Sequence, residues 1–465
     1  PGHPLQSKGV CFSQDSRECE RRNRNTEKSA AQFAAQFALP AFGLLVSEAQ
    51  QCSAPHSVLI LGGPGNGKSY IWRHLLWRFQ QWLGPQYVAI TAVFGIVAQN
   101  AGGRTLHSWA GLPLGSATAQ QIVEGMSPHH RQSWARIRVI GIDDGSTLDD
   151  ELLQTLEEVA RTIKLKLTGK ELWFGGILLI INFDLAQLPP VAPKRSLRFS
   201  SHWPRLTNCE HSILVHCQQN KRFNTLWNGL VNRVREGHIT RADGQVLQGI
   251  LSKPLPAALG PMVRLVPRHL LATEFVKQRL GALGDVESHQ YYDHYIEAPG
   301  GGWLSGESAT TTEFKIGVKV LHTLNIGKLA NGTMGVVTSF YKISGEVWPK
   351  VSWHPVGHPP FRTTVIPIAS QSEDDVLPDG RVKSRLPMIL AEALSIHKAL
   401  GMTLSGGEIE CSGIWDFAQF YEAISRFRGA DYVRVLHFQP SHVKAPKASL
   451  EEMRRLQDLA EKQDF

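Results

Sequence analysis

The sequence has little cysteine and no long apolar run. Six cysteines occur among 465 residues, none in a Cys-x-x-Cys pair, so a disulfide framework is not indicated and a reducing compartment is favoured. The 19 histidines include no His-Glu-x-x-His pattern and no cluster with cysteine, so we expect no structural zinc. No stretch of about 18 apolar residues occurs, so we expect no spanning segment and no membrane partner.

Acidic residues are the minority among the charged ones. The chain carries 41 Asp and Glu against 49 Lys and Arg, a formal net charge of +8, which favours an anionic partner such as nucleic acid. The basic residues are spread along the chain. A folded channel and an ordinary solvated surface explain that spread equally well. The length predicts about two to four domains.

The clearest motif is the glycine-rich stretch 59–69, which reads LILGGPGNGKS. Its spacing fits a phosphate-binding loop between a predicted strand at 58–61 and a predicted helix at 71–79, whereas the alternative is a chance glycine-rich turn. The backbone N–H groups and the helix N-terminus would face phosphate oxygens. We predict that Lys68 neutralises the β- and γ-phosphates and that Ser69 places its hydroxyl on Mg²⁺. The predicted nucleotide-binding residues of this loop are Gly63, Gly65, Asn66, Gly67, Lys68 and Ser69.

An acidic pair ends a later apolar strand. Residues 139–144 read VIGIDD, the Walker B arrangement, in which acids at the carboxyl end of a parallel strand lie beside the phosphate loop. We predict that Asp143 binds Mg²⁺ opposite Ser69 and that Asp144 orients the attacking water. The alternative is a strand end capped by two solvated acids.

Glutamines are candidates for sensing the nucleotide. A further apolar strand at 175–181 leads to Gln187, whose amide both donates and accepts and so can sense the γ-phosphate. Upstream, a predicted helix at 29–39 contains Gln32 and Gln36; either can read adenine, or both can be plain surface residues. Alternating strands and helices through residue 190 predict a parallel sheet covered on both faces.

The stretch QLPPV at 187–191, together with the preceding motifs, resembles the petite-integration-frequency family of DNA helicases of superfamily one B, including Helitron-like members. The resemblance covers most of the chain. Its further segments are 91–107, the asparagine-glycine stretch 331–337, the segment 394–404 and the tetrad Ala423-Ile424-Ser425-Arg426.

The resemblance implies an α/β fold with two RecA-like P-loop motor domains, ATP in the cleft between them, and small inserted domains including a β-barrel of the Src-homology-three type. The expected boundaries are 1–25 for a flexible lead-in, 26–205 for the first motor domain with a small insertion at about 113–132, 206–339 with 386–442 for the second, 340–385 for the barrel, and 443–465 for a C-terminal helix.

The same resemblance implies catalytic arginines and a DNA path. Arg426 and Arg222 match arginine fingers, which stabilise charge on the transferring phosphoryl group. Because the register slips near Arg222, Lys221 is an alternative there, and a surface position is the alternative for either arginine. The residues expected to contact DNA are Thr91, His107, Asn331, His397 and Lys398.

The function we expect is an ATP-dependent DNA helicase that uses ATP and Mg²⁺ to move 5′ to 3′ along single-stranded DNA. Its partners would be single-stranded, forked or otherwise structured DNA, in repair, recombination, replication or telomere maintenance. We expect a monomeric motor, located in the nucleus or mitochondria of a eukaryote and otherwise in the cytoplasm.

Four positions depart from the family pattern. The family usually has glutamate at Asp144, glycine at Phe183, glutamine at Leu400 and threonine at Asn66. Aspartate is one methylene shorter than glutamate, so its carboxylate group lies about 1 Å further back. Misplacement of a catalytic group on that scale lowers a rate by about a hundredfold. The alternative function is therefore a catalytically weakened helicase-like protein that acts as a DNA-binding scaffold. A small-molecule kinase is disfavoured by the Ser-Arg tetrad downstream.

Overall fold

The computed structural model describes residues 56–463 with short gaps. The gaps are 114–116, 191–193, 209–211, 219, 221–224, 253–261, 293, 297–302, 305–310, 325, 327–328, 330–331, 355–358, 370–381 and 405. Several predictions concern residues outside the described ones: the lead-in at 1–25, the helix with Gln32 and Gln36, and the roles of Lys221, Arg222 and Asn331.

The first parallel sheet has six strands in the order β3-β2-β4-β5-β1-β6. They are β1 (Ser57–Leu61), β2 (Val88–Ala92), β3 (Arg104–Thr105), β4 (Val139–Asp143), β5 (Leu178–Phe183) and β6 (Ser212–His216). All neighbours pair in parallel. β6 extends this sheet beyond the expected boundary at residue 205. The prediction of an α/β fold with parallel sheets is confirmed.

Helices cover both faces of this sheet, which explains its continuous apolar strands. The helices of this part are α1 (Lys68–Leu83), α2 (Gly95–Ala101), α3 (Leu106–Ala110), α4 (Ala119–Gly125), α5 (Pro128–Arg136), α6 (Asp150–Thr168) and α7 (Trp203–Leu206). Successive residues of β1 point to opposite faces, so Ile60 packs in a cluster with Trp72 of α1 and Leu59 packs in another with Leu156 of α6. We call this sheet with α1–α7 the first lobe.

The predicted polar insertion at 113–132 contains more regular structure than its sequence indicates. Helices α4 and α5 bury Ile122, Val123 and Trp134 in the same cluster as residues of α6. The Trp134 indole donates to the carbonyl of Ala110 at 3.0 Å. Helices of seven and nine residues are too short to show a clear hydrophobic period, which is why the sequence did not predict them.

The remaining strands and helices follow in chain order. The strands are β7 (Val263–Val266), β8 (Ser288–Tyr292), β9 (His294–Ile296), β10 (Trp303–Leu304), β11 (Thr311–Lys315), β12 (Lys319–His322), β13 (Met334–Ile343), β14 (Glu346–His354), β15 (Phe361–Thr364), β16 (Ile368–Ala369), β17 (Val382–Arg385), β18 (Met388–Leu390), β19 (Ala393–Ser395), β20 (Gly407–Glu410) and β21 (Val433–Leu436). The helices are α8 (Thr225–Arg235), α9 (Arg241–Ser252), α10 (His269–Ala282), α11 (Gln419–Ser425) and α12 (Lys447–Lys462).

A second parallel sheet has the strand order β19-β7-β20-β21. Its core joins Leu265 of β7 and Ile409 of β20 to Leu230 of α8 and Phe420 of α11. We call this sheet with α8–α11 the second lobe. Leu188 of the first lobe belongs to the same apolar cluster, so the two lobes share a buried contact.

An antiparallel region is inserted between β7 and β19. Its largest sheet has five strands in the order β15-β14-β13-β12-β18 and buries Val320, Val351 and Trp353. Smaller antiparallel sheets pair β8 with β11 and join β10, β9, β17 and β16. The five-stranded sheet runs from Lys319 to Leu390, so it extends beyond the expected insert at 340–385 on both sides.

The C-terminal helix α12 packs on the first lobe. Met453 and Leu456 are buried in the first-lobe core, and the indole of Trp203 donates to Glu452 Oε1 at 2.7 Å. Just beyond the helix, the Gln463 amide donates to the carbonyl of Ser212 in β6 at 2.8 Å. The chain therefore returns to the first lobe after completing the second. Among the described helices, none is long and apolar enough to cross a membrane.

Candidate active site between the two lobes

The phosphate loop connects β1 to α1 and has the backbone shape that phosphate binding requires. Gly67 is left-handed at φ 86° and caps the 16-residue helix α1. At Gly62 a side chain would collide with the next segment, because a Cβ atom there would lie 2.7 Å from the carbonyl oxygen of Cys217. Lys68 is buried, and its ammonium group donates to the carbonyl of Gly63 at 3.2 Å. The loop and its lysine therefore form a closed cationic cradle at a helix N-terminus.

Asn66 fixes the loop to the segment after β6. Its amide donates to the carbonyl of Cys217 at 2.8 Å. The Asn220 amide in turn donates to the carbonyl of Pro64 at 2.9 Å and to Asn66 Oδ1 at 3.1 Å. The backbone N–H of Asn66 donates to the carbonyl of Gly63 at 3.3 Å. Side chain and backbone at this departure from the family pattern are thus both engaged within the protein, where they hold the loop in shape.

Ser69 and Asp143 meet at the carboxyl ends of the strands. The Ser69 hydroxyl donates to Asp143 Oδ1 at 2.9 Å, so the two predicted Mg²⁺ ligands are adjacent. Two protein oxygens beside a phosphate site fit Mg²⁺, which keeps waters and takes its other ligands from the nucleotide. Within the described part of the chain, no group of three or more His, Cys, Asp or Glu forms an all-protein metal cage. Ser69 and Asp143 are therefore the residues that would hold this ion.

Asn182 holds both acids of the Walker B pair. Its amide nitrogen donates to Asp143 Oδ1 at 2.6 Å, and its oxygen accepts from the backbone N–H of Asp144 at 3.0 Å. Asp144 itself has a left-handed backbone with φ 54°. Burial, followed by the nearby charges of Glu422 and Asp143, raises the pKa of Asp144 to about 6. Asn182 was not predicted from the sequence, although its place two residues before Asp184 at the end of an apolar strand is a usable signal.

Helix α11 of the second lobe brings Arg426 to this site. Arg426 is 3% exposed, and its charge acts on Asp144. In this conformation its guanidinium donates to the carbonyls of Glu422 and Met402, each at 3.2 Å, and to the Ser425 hydroxyl at 2.9 Å. The predicted arginine finger therefore lies in the site, and its hydrogen bonds are made within its own lobe.

Asp184 joins the lobes through a buried ion pair. It is fully buried at the end of β5, where Arg235 Nη2 of α8 lies 2.7 Å from Oδ1 and the Tyr421 hydroxyl donates to Oδ2 at 2.7 Å. Burial alone would raise the pKa of Asp184, but Arg235 and Lys68 hold it below its ordinary value. The sequence predicted neither Arg235 nor Tyr421, because only the fold shows where α8 and α11 meet β5.

Gln187 lies at the same junction. Its side chain is buried, its backbone N–H donates to the carbonyl of Asp184 at 2.9 Å, and its amide lies near the Glu422 carboxylate. The structure therefore brings together the predicted catalytic residues that it describes. They are Lys68, Asp143, Asp144, Gln187 and Arg426.

The residues expected to contact DNA are not all accessible. Thr91 is fully buried in β2, and its hydroxyl donates to the carbonyl of Gly141 at 2.7 Å. A DNA contact by Thr91 is therefore wrong for this conformation. His107 and His397 are half-buried and Lys398 is exposed. His107 lines a surface groove of about 590 Å³ with Lys194, separate from the carboxylates of the active site.

Two further departures from the family pattern lie in apolar cores. Phe183 is fully buried and packs edge-on against Trp203, with ring centroids 5.7 Å apart. Leu400 is buried in the second-lobe core. Neither side chain supplies a polar group to the site, so neither removes a ligand for nucleotide or metal.

Comparison with known proteins agrees with this arrangement. Residues 42–242 match the model of the family described as PIF1-like helicase. The chain is 30% identical over 400 residues to the human protein named ATP-dependent DNA helicase PIF1, covering 83% of this chain and 59% of that protein. It is 26% identical over 486 residues to the Saccharomyces cerevisiae protein named ATP-dependent DNA helicase RRM3, covering 87% of this chain and 66% of that protein.

Solved structures resemble the whole two-lobed arrangement. The Pif1 helicase from Candida albicans superposes with a TM-score of 0.71 at 25% identity, covering 86% of this chain and 95% of that one. A Bacteroides Pif1 bound to single-stranded DNA shares the fold, with a TM-score of 0.63 at 19% identity, covering 87% of this chain and 94% of that one. The chain spans about 60% of the length of vertebrate relatives such as the Xenopus laevis protein.

Proposed function

This chain belongs to the PIF1-like helicase family, and from that premise we propose that it is an ATP-dependent DNA helicase moving 5′ to 3′ on single-stranded DNA. One observation carries the proposal. Ser69 of the phosphate loop donates to Asp143, and the charges of Lys68 in the first lobe and Arg426 in the second lobe both act on the adjacent Asp144. A site divided between two lobes opens and closes as nucleotide binds and leaves, which is how hydrolysis drives movement.

Each side chain has a role in this proposal. Lys68 and the loop N–H groups bind the phosphates of ATP, and Ser69 with Asp143 holds Mg²⁺, which neutralises phosphate charge when bound. Asp144 orients the attacking water and Gln187 senses the γ-phosphate. Arg426 stabilises charge on the transferring group once it exchanges a bond within its lobe for the phosphate. Arg222, Gln32 and Gln36 keep their predicted roles as proposals.

The two lobes serve as RecA-like motor domains, and the five-stranded antiparallel sheet as a small barrel of the Src-homology-three type beside the DNA. His107, Asn331, His397 and Lys398 contact single-stranded or forked DNA in this proposal. The motor acts as a monomer, in repair, recombination, replication or telomere maintenance. Its location is the nucleus or mitochondria in a eukaryote and the cytoplasm otherwise. The scaffold alternative is not favoured, because Ser69 and Asp143 are adjacent and the buried Lys68 lies in the phosphate loop beside them.

A strand-displacement assay tests this function. Duplex DNA with a 5′ single-stranded tail, a 3′ tail or no tail is incubated with the protein, ATP and Mg²⁺. We expect displacement of the 5′-tailed substrate only, and none without ATP. The control variant Glu408→Gln changes a second-lobe carboxylate paired with Arg264 away from the site and should leave displacement unchanged. Equal displacement without ATP, or displacement of the 3′-tailed substrate alone, would contradict the proposal.

A further inference from the structure

A buried carboxylate stands among the groups expected to receive the γ-phosphate. Glu422 lies on α11, in which every residue is buried, and it is itself 0% exposed. Arg426 Nη2 lies 2.7 Å from Glu422 Oε1, and the Gln187 amide reaches the same carboxylate from the first lobe. Among the described residues, none donates a well-aligned hydrogen bond to either oxygen of this carboxylate. Fully buried carboxylates of this kind are costly, because they lose water without full compensation.

The partners of Glu422 are those proposed for the terminal phosphate of ATP. Arg426 and Gln187 are its close contacts, and the charge of Lys68 acts on it as well. A carboxylate and a phosphate present similar anionic oxygens to a guanidinium and an amide. In this conformation Glu422 therefore takes the interactions that a γ-phosphate needs.

Glu422 and a γ-phosphate cannot favourably share Arg426 and Gln187, because the site already carries several negative charges. The charges of Asp144 and Asp184 repel that of Glu422, and Arg235 is already paired with Asp184. A nucleotide that ends at the β-phosphate does not approach Arg426 and Gln187 in the proposed binding mode. A nucleotide with a γ-phosphate must displace Glu422 from them.

We propose that Glu422 is a specificity-determining residue that competes with the γ-phosphate for Arg426 and Gln187 and so weakens binding of ATP relative to ADP. The proposal rests on the proposed function, because it uses the same nucleotide site. It predicts that removing the charge of Glu422 strengthens ATP binding about tenfold or more, the factor of one buried charged contact. It also predicts that ADP binding stays unchanged.

The test compares the affinities of ADP and of the non-hydrolysable β,γ-imido analogue of ATP. Isothermal titration with Mg²⁺ and without DNA is made for the wild type, Glu422→Gln and Glu422→Leu. Glu422→Leu serves if Glu422→Gln does not fold, and thermal unfolding shows that each purified variant is folded. Glu408→Gln is the matched control, since it removes the charge of another second-lobe carboxylate that is paired with arginine.

We expect the Glu422 variants to bind the ATP analogue more tightly than the wild type does and to bind ADP with unchanged affinity. The Glu408→Gln control should bind both nucleotides as the wild type does. Unchanged affinities, weaker binding of the analogue, or equal tightening of both nucleotides would overturn the inference. The same holds if Glu408→Gln behaves like the Glu422 variants. If the wild type binds no ATP analogue but Glu422→Gln does, the competition stands and the proposed activity falls. If neither binds it, both fall.

Discussion

Breaking the buried ion pair between Asp184 and Arg235, which joins the two lobes, should strongly destabilise the protein. Asp184 is 0% exposed and the Arg235 side chain 13% exposed, so water screens the pair little. Three guanidinium contacts of 2.7, 3.1 and 3.3 Å reach the carboxylate. Asp184→Asn leaves the arginine without its counter-charge. Removing one partner of such a buried pair destabilises a protein by about 3–5 kcal/mol.

Urea unfolding followed by tryptophan fluorescence measures this effect, and the chain has 12 tryptophans to report it. With a slope of about 3 kcal/mol per molar urea, the midpoint should fall by about 1 M or more. The control is Glu171→Gln, whose partner Arg161 is 37% exposed while Glu171 is 68% exposed. That exposed pair should contribute no more than about 1 kcal/mol.

The double variant Asp184→Asn with Arg235→Met distinguishes the net contribution of the ion pair from the cost of leaving one charge unpaired. It removes the uncompensated charge, so we expect it to recover most of the lost stability. An Asp184→Asn variant that unfolds at the wild-type midpoint would show that the lone arginine costs no stability. A double variant that loses as much stability as the two single variants together would show that the two charges are not coupled.

Three other changes give sharp outcomes. Asp144→Glu should raise the turnover of ATP, by up to about a hundredfold, because the longer side chain restores about 1 Å of reach; an unchanged or lower kcat contradicts this. Asn182→Ala should raise the Mg²⁺ concentration needed for half-maximal ATP hydrolysis about tenfold or more, because Asp143 loses the amide that positions it. A lower kcat at saturating Mg²⁺ with an unchanged Mg²⁺ requirement would contradict this. Hydrogen bonds from Arg233 hold the pKa of Asp243 below its ordinary value, so the stability lost in Asp243→Asn should be constant above about pH 4 and shrink as the pH falls below it. A stability difference that grows in acid would contradict that sign.

The local motifs were predictable because their chemistry is contiguous in sequence. The phosphate loop sets its own backbone through glycines, and β4 carries its acids to the expected edge of the sheet. Ser69 and Asp143 then meet because parallel strands end at one edge. Nothing beyond spacing and strand periodicity was needed for that part of the site.

The cross-lobe contacts were not predictable in the same way. Tyr421 and Asp184 are 237 positions apart, and no local pattern shows that α11 faces the end of β5. Thr91 illustrates the opposite error. The motif resemblance implied a DNA contact, but pairing of β2 with β4 directs the hydroxyl to the carbonyl of Gly141 inside the sheet.

The domain boundaries depend on strand pairing and helix packing between segments that are distant in the sequence. β6 joins the first sheet because it pairs with β1, and α12 returns to the first lobe because Met453 and Leu456 fill its core. The helix pattern of α12 was clear from the sequence. The surface that its apolar face covers became known only from the fold.

ATP hydrolysis measured with and without single-stranded DNA, beside a Lys68→Ala control, shows whether the protein is a DNA-driven motor. We predict hydrolysis that DNA strongly stimulates and that the control loses, because the buried Lys68 is the cation of the phosphate loop. Binding of both ATP and DNA with no hydrolysis, or hydrolysis that persists in Lys68→Ala, would show that this site does not drive a motor.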